Sequence, residues 1–136
     1  MIGGYMSFAG IEGKARYAGT AVEDVLPVSI GMSDDRVEEP EGVCPEILAP
    51  EHPILAGLPA SWPAFLGHNR VVVKPDARLL ARIGRDPFIA VAERGRGRSL
   101  AFTSDCSPHW GPPEFTGWAH YPRFWQQAVR WVASLD

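Results

Sequence analysis

The chain has 136 residues, 46% of them hydrophobic and 21% charged, with a formal net charge of −3 at pH 7. That balance describes one globular core rather than a disordered or fibrous protein, and the acidic charge offers no basic footprint for nucleic acid. No apolar run is long enough to cross a bilayer and no charged-then-apolar leader is read at the start, so a cytoplasmic protein is expected, with no membrane partner.

In chain order, Gly3-Gly4-Tyr5-Met6-Ser7-Phe8 comes first, a glycine pair that permits positive backbone dihedrals and so a sharp turn. Such a turn normally ends a strand. The sequence therefore predicts an elbow whose incoming strand is missing. Ala9 to Gly19 has no clear period and reads as a loop. Thr20-Ala21-Val22-Glu23 has the spacing of a capping box and predicts a short helix to about Leu26, stopped by Pro27. Val28-Ser29-Ile30 can supply a brief strand before Ser33-Asp34-Asp35 turns the chain. The acidic, proline-containing stretch from Asp34 to Pro50 predicts an extended, insertion-like loop anchored by Val37, Val43, Ile47 and Leu48. His52 to Leu58 reads as one helical turn ended by Gly57.

From Asn69 onward the pattern changes to strands, at Arg70 to Lys74, Ala77 to Ile83, Phe88 to Ala92 and Ser99 to Thr103. The glycines of Arg94-Gly95-Arg96-Gly97-Arg98 fit a tight antiparallel hairpin, and its arginines read as a charged sheet edge before they read as a phosphate site. A final helix is predicted from about Pro122 to Leu135, with Tyr121, Phe124, Trp125, Ala128, Val132 and Leu135 as the stripe that packs on the sheet. A single domain over residues 1–136 follows.

The densest polar and aromatic cluster is Thr103 to Phe115, directly after an apolar strand, where open α/β sheets bind ligands. His109 can shuttle protons near neutral pH, with Glu114 or Asp105 to hold its ring in one tautomer. Cys106 would be a nucleophile only if the fold set His109 against it. Cys44 and Cys106 are the only cysteines; they read as free thiols, and they match no paired zinc spacing. Asp105, Cys106, His109, Glu114 and His120 mix soft and hard ligands at no specific interval. No metal and no cofactor is expected. At the elbow, Gly3, Gly4, Tyr5 and Ser7, together with Trp110, are the expected ligand-binding positions.

Two segments, Gly3 to Lys14 and Phe102 to Gly111, resemble the hallmark stretches of the putative glutamine amidotransferase family. Leu26-Pro27-Val28, His52 to Leu58 and the closing tryptophan helix extend the resemblance over essentially the whole chain. It implies an α/β fold of the class I glutamine amidotransferase type, a flavodoxin-like sandwich with an antiparallel hairpin and a C-terminal helix, akin to the trehalose-utilisation proteins. Family members are longer. This chain would correspond to their C-terminal part, lack the N-terminal β/α units, and need a partner chain or a second copy over the open sheet edge. Class I amidotransferases place a cysteine at the elbow and a His-Pro-Glu on a later loop; here Tyr5 matches the cysteine, and Glu114 lies five residues beyond His109.

The expected function is thus an amidotransferase-like domain without glutaminase activity, binding a small polar ligand or a protein partner near His109. Alternatives are a hydrolase or other acid/base enzyme using His109 with Glu114 or Asp105, and a truncated domain with only an association role.

Overall fold

The computed structural model describes residues 1–135. Helix α1 (Ala21–Val25) follows the elbow and a single 3-10 turn at Ile11–Gly13; then come strands β1 (Val28–Ser29), β2 (Arg36–Val43), β3 (Glu46–Ile47), β4 (Phe65–Asn69), β5 (Val72–Val73), β6 (Arg78–Ile83), β7 (Asp86–Arg94) and β8 (Gly97–Phe102). Two helices, α2 (Pro113–Thr116) and α3 (Tyr121–Val132), close the chain. The main sheet runs in the order β3-β6-β7-β8, and β2 with β4 and β1 with β5 form two-stranded ladders. Every one of these pairings is antiparallel. The fold is mixed α/β, with the hairpin and C-terminal helix that the sequence predicts.

Glycine decides both tight hairpins of the main sheet. Ile83 pairs with Asp86 across Gly84-Arg85, and Arg94 with Gly97 across Gly95-Arg96. Gly84 (φ 56°) and Gly95 (φ 59°) take the positive dihedral that a two-residue turn requires. Two arginines of the second hairpin are engaged: Arg94 grips Asp76 with two nitrogens at 2.7 and 3.1 Å, and the Arg98 guanidinium lies 5.1 Å from the centre of the Trp131 ring.

Strand alternation splits the core across the sheet. Leu100 and Phe102 of β8 join Phe65, Phe88, Phe115 and the α3 residues Phe124, Ala128 and Trp131 on one face; Ala101 points to the other, with Phe8, Leu26, Val28 and Val71. β7 is buried from Pro87 to Ala92, as expected of a strand covered on both sides. The first face is dominated by rings. Phe102 alone has Phe65, Phe88, Phe115, Phe124 and Trp125 within 4.7 to 6.0 Å, centre to centre.

Several local expectations are corrected. Asp34 to Pro50 is not a solvated loop: Arg36–Val43 is a strand paired with β4, bulged between Glu38 and Val43 where Pro40 removes a ladder donor, and Glu46–Ile47 pairs with β6. A buried strand such as β4 needs partners for its backbone, and the acidic segment supplies them. The capping box does not form. Thr20 Oγ1 donates to the Tyr17 carbonyl, while the Glu23 carboxylate accepts from the Gly19 and Ile30 amides, both at 2.6 Å. The strand expected at Arg70 to Lys74 is reduced to Val72–Val73, because Arg70 N–H turns aside to the Asp35 carbonyl. Helix α3 ends before Leu135: Ser134 adopts φ 54°, and Leu135 N–H closes on the Arg130 carbonyl, a Schellman closure on serine in the place of glycine. Its buried stripe is Phe124, Ala128 and Trp131, and Val132 and Leu135 stand exposed.

The residues ahead of the elbow lie along β8. Phe102 N–H donates to the Met1 carbonyl, Gly3 N–H donates to the Phe102 carbonyl at 2.7 Å, and Ile2 bridges Phe102 in the parallel sense. Among the described residues this is the sole parallel contact between strands or bridges.

Candidate functional site

The elbow is built by close approach. A Cβ on Gly3 would sit 2.2 Å from the Thr103 carbonyl oxygen, and one on Gly4, whose φ is 142°, would sit 2.7 Å from Asp105 Oδ1. Only glycine lets the turn press against the chain leaving β8. Two buried polar side chains then fix it. Asn69, at the end of β4, accepts from Gly4 N–H at 2.8 Å and donates to the Gly4 carbonyl at 3.1 Å and to Asp35 Oδ1 at 2.8 Å. Asp35 in turn accepts the Ala9 and Gly10 amides, each at 2.9 Å. Buried carboxylate and amide are thereby satisfied by backbone and by each other, which sets the turn rigidly.

Opposite the elbow, Asp105 and His109 come together. His109 Nδ1 lies 2.7 Å from Asp105 Oδ2, which also accepts the Trp110 amide at 3.2 Å. A carboxylate against Nδ1 holds the proton there and leaves Nε2 as the basic nitrogen, the orienting role of the acid in a catalytic triad. The His109 backbone is strained at φ 134°, a conformation that non-glycine residues rarely adopt and that concentrates at functional sites. Tyr5 meets the His109 ring edge-on at 4.5 Å between centres and 89° between planes.

Glu38 of β2 ties these parts together. It accepts the Tyr5 hydroxyl at 2.7 Å and Trp110 Nε1–H at 3.1 Å, while the Arg36 guanidinium lies 4.5 Å from the centre of the Tyr5 ring. Donation to Glu38 raises the Tyr5 phenol above its ordinary value, so the elbow residue is neutral and a poor nucleophile at neutral pH. Burial pushes the Glu38 carboxyl up, but the hydrogen bonds from Tyr5 and Trp110, with the charges of His109 and Arg36, outweigh it and leave it below its ordinary value. Trp110 is seated against β4, where a Cβ on Gly67 would fall 2.3 Å from its Nε1.

The sequence-predicted residues divide accordingly. Gly3, Gly4, Tyr5, Asp105, His109 and Trp110 meet around the elbow. Ser7 is half-buried, its amide donating to the Gly4 carbonyl. Glu114 stands exposed in the first turn of α2, and the carboxylate on His109 is that of Asp105. Cys106 makes no hydrogen bond to His109; its carbonyl accepts the Tyr121 hydroxyl at 2.6 Å. Among the described residues no group of three histidine, cysteine or acidic side chains is placed to hold a metal, and no helix is long and apolar enough to cross a membrane.

Sequence reasoning missed Asp35, Asn69, Arg36 and Glu38. Asp35 sits in a run read as a turn, and Glu38 in a stretch read as solvated. Both act on residues about thirty positions away in sequence, and local spacing carries no mark of that.

The model of the family described as putative glutamine amidotransferase matches residues 1–134. Two solved structures are similar: the cytoplasmic protein STM3548 from Salmonella typhimurium, 45% identical with a TM-score of 0.93, and the cytoplasmic protein STM1381 from Salmonella typhimurium LT2, 43% identical with a TM-score of 0.93. The match covers 97% of this chain but 53% of the first protein and 54% of the second, so the chain spans about half the length of its solved neighbours. No curated protein matches it.

Proposed function

We propose that this chain, which belongs to the putative glutamine amidotransferase family, is an amidotransferase-like domain with no glutaminase activity of its own that binds a small polar ligand between the elbow and the His109 loop. One observation carries the reading: the elbow position bears the Tyr5 phenol, hydrogen-bonded to Glu38 and crossed by Arg36. Glutamine hydrolysis through a covalent intermediate needs an activated nucleophile beside a base. The base and its orienting acid are at hand in His109 and Asp105, but the neutral phenol donates a hydrogen bond to Glu38, and the Cys106 thiol makes no hydrogen bond to His109 that would activate it.

What remains is a set of recognition groups. His109 Nε2 is an acceptor, Arg36 a cation, Glu38 an anion, and the part-exposed Tyr5 ring, with Trp110 buried beside it, offers apolar surface against which a sugar or a flat amide can pack. The proposed ligand is therefore small, polar and rich in hydroxyl or amide groups. We propose a cytoplasmic location, the one that the names of both solved neighbours carry.

The test is direct. Purified protein is incubated with L-glutamine and ammonia release is followed; none above background is expected, and release that vanishes in Cys106→Ala would overturn the reading. In parallel, amide shifts are followed by NMR during titration with amino acids and monosaccharides. Shifts that cluster at Tyr5, His109 and Trp110 and disappear in His109→Ala are the expected result.

A second reading is favoured by the 2.7 Å contact between Asp105 and His109: His109 Nε2 acts as general base on a water molecule at a bound ester or amide. Turnover of a generic ester by wild type with an acid limb set by one histidine, lost in Asp105→Asn, would select it.

A further inference from the structure

The ladder of β2 and β4, which supports the elbow, has a second face. Successive side chains of a strand point to opposite sides. On β2, Arg36 and Glu38 reach Tyr5 and Trp110, so Val37 and Glu39 face away. On β4, Asn69 turns to Gly4, so His68 takes the far side, where the register sets it directly opposite Val37. Arg70, just beyond the strand, follows His68. A cavity of about 320 Å³ opens on this side, between the ladder and the β6–β7 hairpin. That volume lies near the lower end of the range for small-molecule sites, about 300–1,000 Å³.

The polar wall of the cavity is organised by Asp86, the first residue of β7. His68 Nε2 lies 2.9 Å from Asp86 Oδ2, and Arg70 Nε donates to the same oxygen at 3.1 Å. Burial pushes the Asp86 carboxyl up, but the hydrogen bonds from His68 and Arg70 outweigh it and leave it below its ordinary value, so Asp86 is an anion at neutral pH. A carboxylate against Nε2 holds the proton there and leaves Nδ1 as an acceptor. His68 is only 2% exposed, and its Nδ1 has no hydrogen-bond partner among the described residues. A buried acceptor is ordinarily given a donor, and this one belongs to a side chain that lines a cavity. The charges around the cavity are unmatched as well. Among the described residues, Arg85 and Glu39 have no ion-pair partner, and Arg70 engages Asp86 through Nε alone.

We propose that this cavity is a second ligand site, back to back with the elbow across the β2–β4 ladder, and that it takes a small aliphatic α-amino acid. The ligand carboxylate is the acceptor that Arg70 and Arg85 lack, in the fork geometry that guanidinium groups favour. Its ammonium is the donor that Glu39 and His68 Nδ1 lack. Its side chain rests on the apolar wall of Val37, Val43 and Ile83. A phosphate-like dianion is opposed by Glu39 and Asp86, and a metal cation by the two arginines; a zwitterion satisfies both signs at once. The inference goes beyond the proposed function and does not rest on it, because the two sites lie on opposite faces and are read at different residues.

Amide NMR spectra of the full 136-residue chain are followed during titration with L-alanine and with L-valine. Saturable shifts at Val37, Glu39, His68 and Arg85 are expected, with affinity reduced about tenfold or more in Arg85→Gln and in Glu39→Gln. Affinity is retained in Arg96→Gln, an exposed arginine beyond the other end of β7. Lactate, which lacks the ammonium, and alaninamide, which lacks the carboxylate, are each expected to bind about tenfold more weakly or worse. Circular dichroism checks the fold of each variant, and Arg70→Gln replaces either one that does not fold. The absence of saturable shifts at these residues with both amino acids overturns the proposal, as does affinity indifferent to the substitutions. Lactate binding as tightly as L-alanine overturns it and makes the cavity a simple anion site. Shifts confined to Tyr5, His109 and Trp110 also overturn it, while leaving the elbow reading in place.

Discussion

The ring face of the main sheet and the elbow are held by different physics. The α3 face is a mass of rings around Phe102, where burial is nondirectional and each partner can adjust against several others. The elbow lies beyond the strand ends and is held by directed bonds, each with one donor and one acceptor: Asn69 to Gly4, Asp35 to Ala9 and Gly10, Asp105 to His109. The first kind of region supplies stability and tolerates change in proportion to volume. The second supplies position, and the removal of one atom leaves an identifiable group without its partner.

Breaking the ring face has the largest expected effect. Phe102→Ala removes the ring shared by five others and is expected to cost about 3–5 kcal/mol, read from the denaturant midpoint; a loss below about 1 kcal/mol would mean that the cluster repacks freely. Next comes the directed network: Asn69→Ala strands the Gly4 amide, takes from Asp35 Oδ1 one of its two donors, and is expected to cost about 1–3 kcal/mol, with a signature the ring face lacks, selective broadening of Tyr5 and His109 resonances. An unchanged elbow spectrum would show that Gly3 and Gly4 hold the turn by themselves. Gly67→Ala drives a methyl into the Trp110 indole and tests the link between strand and loop; about 1–3 kcal/mol and a shift in tryptophan emission are expected.

Acid probes the polar region through Glu38. Glu38 lies below its ordinary 4.5 in the folded chain. The unfolded chain therefore binds the proton first as pH falls, so the stabilisation is complete above about that value and is lost as pH drops through the lower folded one. Glu38→Gln should flatten the acid limb of the unfolding midpoint measured from pH 6 to pH 3 (roughly the span over which carboxylates titrate); an identical limb would remove Glu38 from the account. Smallest of all, Glu114→Gln is expected to change stability by less than about 0.5 kcal/mol and to leave the His109 resonances in place, whereas a displaced His109 ring would return Glu114 to the site.

Legibility followed the same division. The hairpin at Gly95, the strands Arg78–Ile83, Asp86–Arg94 and Gly97–Phe102, and the closing helix stand in the sequence as periodicity and glycine punctuation, because neighbours within a few residues dictate them. Gly3-Gly4 was recognisable as an elbow for the same reason. The Asp34 to Pro50 stretch misled because its composition is that of solvated chain, and the need that makes it a strand belongs to Phe65–Asn69. At the site, His109 and Asp105 are four residues apart and could be paired on paper; which acid holds the ring was settled by the loop, whose strained His109 backbone turns Nδ1 toward Asp105 and leaves Glu114 on the surface of α2.

What the sequence determined by itself was local and compositional: a mixed α/β chain with a glycine elbow, an antiparallel hairpin, an aromatic closing helix, and no cysteine or serine at the elbow tip. These depend on residue type and short spacing, which survive without a fold. Tertiary structure decided the rest. It placed Glu38 under Tyr5 and Trp110 and Asn69 under Gly4, because hydrogen bonds and burial act through space and bring together residues that the chain separates by dozens of positions.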